Sequence, residues 1–140
     1  MQKSQRRHVI SVPGVKHGRQ PFPLAVRVDQ LVVSSAIPGM DPSTETIPTD
    51  PRRQIELVFR NMRAVVERAG GTVADIAQVL VSVSAQDHRD LVNKQWIEMF
   101  PDSDDRPARN TQVRELAGGM VCCVLMTAVL AVDSNDRPPD

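Results

Sequence analysis

Apolar positions recur at two spacings along this chain, and the spacings assign its elements. From Ile55 onward apolar residues fall at Ile55, Val58, Phe59, Met62, Val65, Val66 and Ala69. That is one stripe on a helix of 3.6 residues per turn. Asp50 is placed to cap the start, and Pro51 suits the first helical position because its missing N–H had no partner there. Gly70-Gly71 stops the helix, since glycine takes the left-handed terminal conformation without a Cβ clash. Thr72 and Asp75 are spaced as a capping box for a short turn.

Gln78 to Ala85 alternates strictly, with Val79, Val81 and Val83 on one side, which is strand geometry. A second helix is expected from Asp87 to Phe100, with the stripe Leu91, Val92, Gln95, Trp96, Met99. Leu24 to Ala36 reads as one long strand or a bent pair, and Ile37 to Thr46 as a loop marked by Pro38, Gly39 and Pro42. Ala108 to Arg114 reads as a strand, and Gly118-Gly119 turns the chain into the run Val121 to Val132.

That final run is apolar at nearly every position, the pattern of a strand covered on both faces. Two helices cover only one face of a sheet. The other face must meet a second copy of the chain, or the sheet must curl enough to cover itself; self-association is the simpler reading. The expectation is therefore one α+β domain over residues 1–140, with 1–8 and 133–140 as frayed tails.

Composition narrows the function. Seventeen Lys plus Arg balance seventeen Asp plus Glu, and only four aromatic side chains (Phe22, Phe59, Phe100, Trp96) are present. Neither fact suits a nucleic-acid or anionic-lipid surface, which needs uncompensated positive charge or stacking platforms. The longest apolar run falls well short of the about 20 residues that span a membrane. The basic start, Met1 to His8, has no apolar segment behind it, so no signal peptide is expected. The adjacent Cys122 and Cys123 give no disulfide framework and suit a reducing compartment; a cytoplasmic location is expected. Neighbours on a strand point to opposite faces, so these two make no metal site, and His8, His17 and His88 are scattered.

Arginine outnumbers lysine 14 to 3. Arg52, Arg53, Arg60, Arg63 and Arg68 fall on the polar side of the first helix. Arg109 stands apart: it enters a strand beside Thr111 on the same face, where a guanidinium is placed to fork onto a carboxylate. A surface ion pair to Asp102, Asp104 or Asp105 is the plainer alternative, and spacing alone favours it.

A set of segments in order adds to this: Gln20-Pro-Phe-Pro-Leu-Ala-Val26, Val33-Ser-Ser-Ala-Ile-Pro38, Gln54 and Asn61 in the first helix, Ala69-Gly-Gly71 with Asp75, Val92-Asn93, and Arg106-Pro-Ala-Arg-Asn-Thr111. Over roughly residues 17–130 the chain resembles the reactive intermediate deaminase (Rid, formerly YjgF) family. The resemblance implies a chorismate-mutase-like mixed sheet with two helices on one face. It implies a homotrimer with sites in clefts between subunits. It implies hydrolysis of small enamines and imines such as 2-aminoacrylate to a keto acid and ammonia, without a metal or other cofactor. By the same resemblance Arg109 binds the substrate carboxylate, with Thr111, Asn93, Phe22 (usually Tyr) and Ser35 (usually Gly) lining the pocket. The glutamate thought to orient water in active relatives falls at Cys123 or Leu125, and no acid occurs from Met120 to Val132. The 2-aminoacrylate activity is thus in question, and a dicarboxylic enamine, bringing its own carboxylate, is the preferred substrate. The alternative is a non-catalytic trimer that binds a small carboxylate metabolite. Ribonuclease activity, attributed to some members, fits poorly with zero net charge and no histidine pair.

Overall fold

A computed structural model describes residues 5–132. Seven strands and two helices follow in the order β1 (Arg7–Ile10), β2 (Ala25–Val28), β3 (Leu31–Ser34), β4 (Ile37–Pro38), α1 (Pro51–Arg68), β5 (Ile76–Val83), α2 (Arg89–Met99), β6 (Ala108–Val113) and β7 (Cys122–Val129). They form one sheet in the order β1-β2-β3-β7-β5-β6, with β4 beside β7. Only β5 and β6 run parallel, joined by the crossover through α2; every other pairing is antiparallel. No helix among the described residues is long and apolar enough to cross a membrane.

The first helix forms where its stripe and caps place it. Asp50 accepts from the Arg52 N–H at its start, and Gly70, at φ +101°, leaves the helix in a conformation that disfavours a side chain. All seven residues of the apolar stripe are buried. Two polar residues are buried with them. The Asn61 side chain donates to the carbonyls of Pro38 (2.8 Å) and Met40 (2.9 Å). Gln54 donates to Pro48 and Gly119 and accepts from the Val121 N–H at 2.9 Å. These amides tie α1 to the segment after β4 and to the entry of β7. Gly39 passes so close that a Cβ there would lie 2.2 Å from the Gln54 carbonyl oxygen.

Several expectations need correction. Of the two readings of Leu24 to Ala36, the single long strand is not formed and the bent pair is: β2 and β3 make a hairpin turning at Asp29-Gln30, with Asp29 at φ +53°. Asp-Gln lacks the usual hairpin glycine, so the sequence leaves the two readings open. Ile37-Pro38 is not loop: it pairs with Val124 and Cys123. Arg7 and His8, expected to fray, open β1 and pair with Val28 and Arg27. The remaining tail residues, 1–4 and 133–140, lie outside the described residues. The second helix begins at Arg89 after a single turn over Gln86–His88. The last strand ends at Val129, not Val132.

Both helices pack on one face. There Val32, Val79, Val81, Val83, Cys122, Val124, Met126 and Ala128 are buried with the helix stripes in one core. The opposite, open face carries Leu31 paired with Val129 and Leu80 paired with Leu125, exposed by 43%, 54%, 39% and 43%. A sheet curled over its own strands is thereby excluded: the chain alone leaves this face uncovered.

Truncating Asn61 should remove the side-chain donor from the buried Pro38 carbonyl and the part-buried Met40 carbonyl. Asn61→Ala is expected to lose about 1–3 kcal/mol of stability in urea unfolding, whereas Arg63→Ala, exposed on the same helix, should stay within about 0.5 kcal/mol.

Candidate functional site

The residues singled out in the sequence fall into three places. Arg109 and Thr111 face the helix side of β6, because they pair with the buried Val79 and Val81 of β5. Asn93 and Trp96, one turn apart on α2, stand over them. The Arg109 Nε donates to Thr111 Oγ1 at 2.8 Å, and a terminal guanidinium nitrogen donates to Asn93 Oδ1 at 2.8 Å. The guanidinium carbon lies 5.1 Å from the centre of the Trp96 ring, within cation–π range.

This arrangement leaves the charge of Arg109 uncompensated. Among the described residues no carboxylate lies within ion-pair distance of Arg109. The surface pair with Asp102, Asp104 or Asp105 is therefore not formed. Asp102 instead accepts from the Asp104 N–H and closes its own turn. Two of the five guanidinium N–H groups are held by neutral oxygens, which fix the plane of the fork without cancelling its charge. Partial burial, then the nearby cation Arg89, hold its pKa below the ordinary arginine value. An arginine stays protonated at neutral pH all the same. The result is a partly desolvated, immobilised cation whose charge is unspent.

The second place is the join between β3 and β4. The Ser35 hydroxyl donates to the Pro23 carbonyl at 2.8 Å, and its N–H donates to Leu24. Phe22 is 45% exposed, with its ring 5.0 Å from that of His17. His17 in turn bonds the Ala36 carbonyl through its Nε2. A chain segment beside β2 is thus pinned against the join, and Phe22 is presented to solvent.

Cys123 lies in the third place, on the open face, paired with Ser82 and Pro38. It is 3% exposed, and burial pushes its thiol up, so it is neutral at pH 7. Leu125 follows on the same face. Cys122 points the other way, toward the core; burial and then Cys123 push its thiol up to about 12. Around Cys123 and Leu125 lies a hollow of about 240 Å³ that also takes in Ala36, Leu80, Ser82, Asn110, Gln112 and Arg114. No acid lines it.

One chain therefore brings Arg109, Thr111 and Asn93 together. It brings Phe22 and Ser35 together through Pro23, and sets Cys123 near Ala36. It does not join the Arg109 group to the open face, since β6 separates them. Trp96 and Arg114 were not singled out as site residues in the sequence. Trp96 was legible in principle, being three residues from Asn93 on one helix.

Comparison with known proteins agrees with the fold. The family model described as Endoribonuclease L-PSP matches residues 17–130. A 2-iminobutanoate/2-iminopropanoate deaminase from Dermatophagoides farinae is 30% identical over 106 residues, 75% of this chain and 81% of the relative. A RutC family protein from Haemophilus influenzae is 30% identical over 92 residues, covering 64% of this chain and 71% of the relative. Among solved structures, RidA from the Antarctic bacterium Psychrobacter sp. PAMC 21119 superimposes with a TM-score of 0.79 at 27% identity, covering 88% of this chain and 99% of the other. The YjgF gene product of E. coli superimposes with a TM-score of 0.78 at 24% identity, covering 86% and 97%. With the fold, the ordered segments and these matches in agreement, the chain belongs to the Rid/YjgF family.

Proposed function

We propose that this protein is an imine or enamine deaminase acting on a small carboxylate-bearing substrate, and that it works as a homotrimer with its site between copies. The observation that carries the reading is Arg109: a half-buried guanidinium clamped by Thr111 and Asn93 over Trp96, with no acidic partner among the described residues. Such a fork fits the two oxygens of a carboxylate. The similar deaminase from Dermatophagoides farinae supports the reaction class.

The chemistry asks little of the protein. A 2-imino acid in its protonated form has an electrophilic carbon. Water adds there, and C=NH2⁺ plus H2O becomes C=O plus NH4⁺. Arg109 would fix the carboxylate, and Trp96 and Asn93 would keep the guanidinium from swinging. Holding the substrate in one orientation is a recognised source of rate. No metal or organic cofactor is part of this scheme.

Closure of the site rests on the open face. Leu31, Leu80, Leu125 and Val129 present an apolar surface that a second copy would cover. A second copy would also bring Phe22, Ser35 and Cys123 within reach of an Arg109 from its neighbour, which a single chain does not do. Light scattering should give about three times the 15.5 kDa chain mass. A stable monomer at micromolar concentration would sink the intersubunit site.

A second reading, binding of a carboxylate metabolite without turnover, is favoured by one observation: the hollow around Cys123 and Leu125 contains no acid to take a proton from water. Turnover separates the two. Arg109→Ala should weaken binding of 2-oxobutanoate by about 1.5–3 kcal/mol, and Arg109→Lys should not fully restore it, because a point charge cannot fork. Calorimetry on the three proteins checks this; equal affinities would make Arg109 a surface residue only.

Hydrolysis of 2-aminoacrylate by the natural chain is expected to be slow, since general-base assistance contributes about 10²–10⁴-fold. Leu125→Glu, on the face where the proposed site closes, should raise the rate. Cys123→Glu would bury its acid and raise the rate less. Ammonia release from freshly generated imine measures both. If the natural chain already matches glutamate-containing relatives, the missing acid is irrelevant.

A further inference from the structure

The hollow on the open face has one charged residue in its wall, and that residue is Arg114. It follows directly on β6, five residues after Arg109, so the two guanidinium groups leave the strand on opposite faces. Arg114 Nε donates to Ser82 Oγ at 2.9 Å, which holds the planar fork along the hollow's edge. Among the described residues no carboxylate lies within ion-pair distance of it. The rest of the wall is neutral. Asn110 and Gln112 supply amides, Ser82 a hydroxyl and Cys123 a buried thiol, while Ala36, Leu80 and Leu125 supply apolar surface. β7, which forms the floor, carries no acid along its length.

A concave site with a single uncompensated cation and several neutral polar groups attracts an anion. Its planar, donor-only charge suits a carboxylate in particular. At about 240 Å³ it lies below the range of about 300–1,000 Å³ that holds drug-sized ligands. It has room for the end of a short carbon chain.

We infer that this hollow is a carboxylate subsite centred on Arg114, and that the protein's ligand is a dicarboxylate, one end on Arg109 and the other on Arg114. Because the two arginines of one chain face apart, the second end is held by the Arg114 of a neighbouring copy. The inference rests on the intersubunit site proposed above. It deepens that proposal by naming what distinguishes the ligand: a second negative charge at the end away from the reacting carbon. Apolar 2-imino acids would leave Arg114 without an anionic partner, and would gain nothing from it.

Two probes with the same five-carbon skeleton isolate the effect. 2-Oxoglutarate ends in a carboxylate, and 2-oxopentanoate ends in a methyl group. Calorimetry on the natural chain should show 2-oxoglutarate binding about tenfold or more tightly. Arg114→Gln should bring the ratio of the two affinities close to one, and Arg114→Lys should restore part of it. Arg114 is exposed, and an unchanged melting temperature will show that each variant is folded. A ratio near one in the natural chain, or a ratio unmoved by Arg114→Gln, overturns the subsite. Arg109→Ala separates this claim from the one beneath it. Loss of affinity for both probes supports the Arg109 anchor. Retained affinity for both, with the ratio still dependent on Arg114, removes Arg109 from the site and leaves the subsite standing. If neither probe binds, both claims are overturned.

Discussion

A sheet covered by helices on one side only has an unsolved problem on the other, and most of this structure follows from that constraint. α1 and α2 bury the inner side chains of β3, β5 and β7 almost completely. The outer face of the same strands mixes polar residues such as Gln78 and Thr127 with Leu31, Leu80, Leu125 and Val129, and these four remain about half exposed. Burying a Leu or Val side chain fully is worth about 1.5–3 kcal/mol, so covering several such residues at once is a substantial drive toward association. The proposed trimer is the direct answer to that drive, and the site between copies is its chemical consequence.

The contrast between the two arginines on and after β6 carries the functional argument. Each is held by a hydroxyl, Thr111 or Ser82, and neither meets a carboxylate among the described residues. Two surface arginines behave differently: Arg6 pairs with Asp29, and Arg53 with Glu56. A cation held by neutral groups retains its field for an incoming anion, whereas one already paired has spent it. Partial burial sharpens this for Arg109, since desolvation strengthens whatever ion pair later forms there.

How much of this was legible in the sequence depended on how local each signal is. The caps and stripe of α1 are written within a few residues of one another, and the Thr72–Asp75 capping box formed as its spacing indicated. The alternation of Val79, Val81 and Val83 placed them on the buried side of β5. The β2–β3 turn stayed an alternative to one long strand because Asp29-Gln30 lacks the glycine that marks a tight hairpin. β1 and β4 were missed because two to four residues hold no periodicity; their pairing is decided by neighbours far along the chain. The Arg109–Thr111 contact followed from their spacing on one strand. The contact to Asn93 and Trp96 depends on how α2 lies across the sheet, which no local pattern records. Spacing favours a surface ion pair for Arg109, but none forms among the described residues: its guanidinium is turned onto Thr111 and Asn93, and Asp102 accepts from its own turn. Arg114 escaped notice for the same reason β4 did: its meaning lies in Ser82 and Cys123, brought beside it only by the parallel and antiparallel pairing around β5.

The central claim is that Arg109 anchors a carboxylate in a site completed by a second copy of the chain. A crystal structure of the protein with 2-oxobutanoate bound tests it most directly. The account predicts the carboxylate forked on Arg109 with Asn93 and Thr111 still beside it, and the far end of the ligand against Phe22, Ser35 or Leu125 of a neighbouring copy. A ligand bound away from Arg109, or enclosed wholly within one chain, would contradict it.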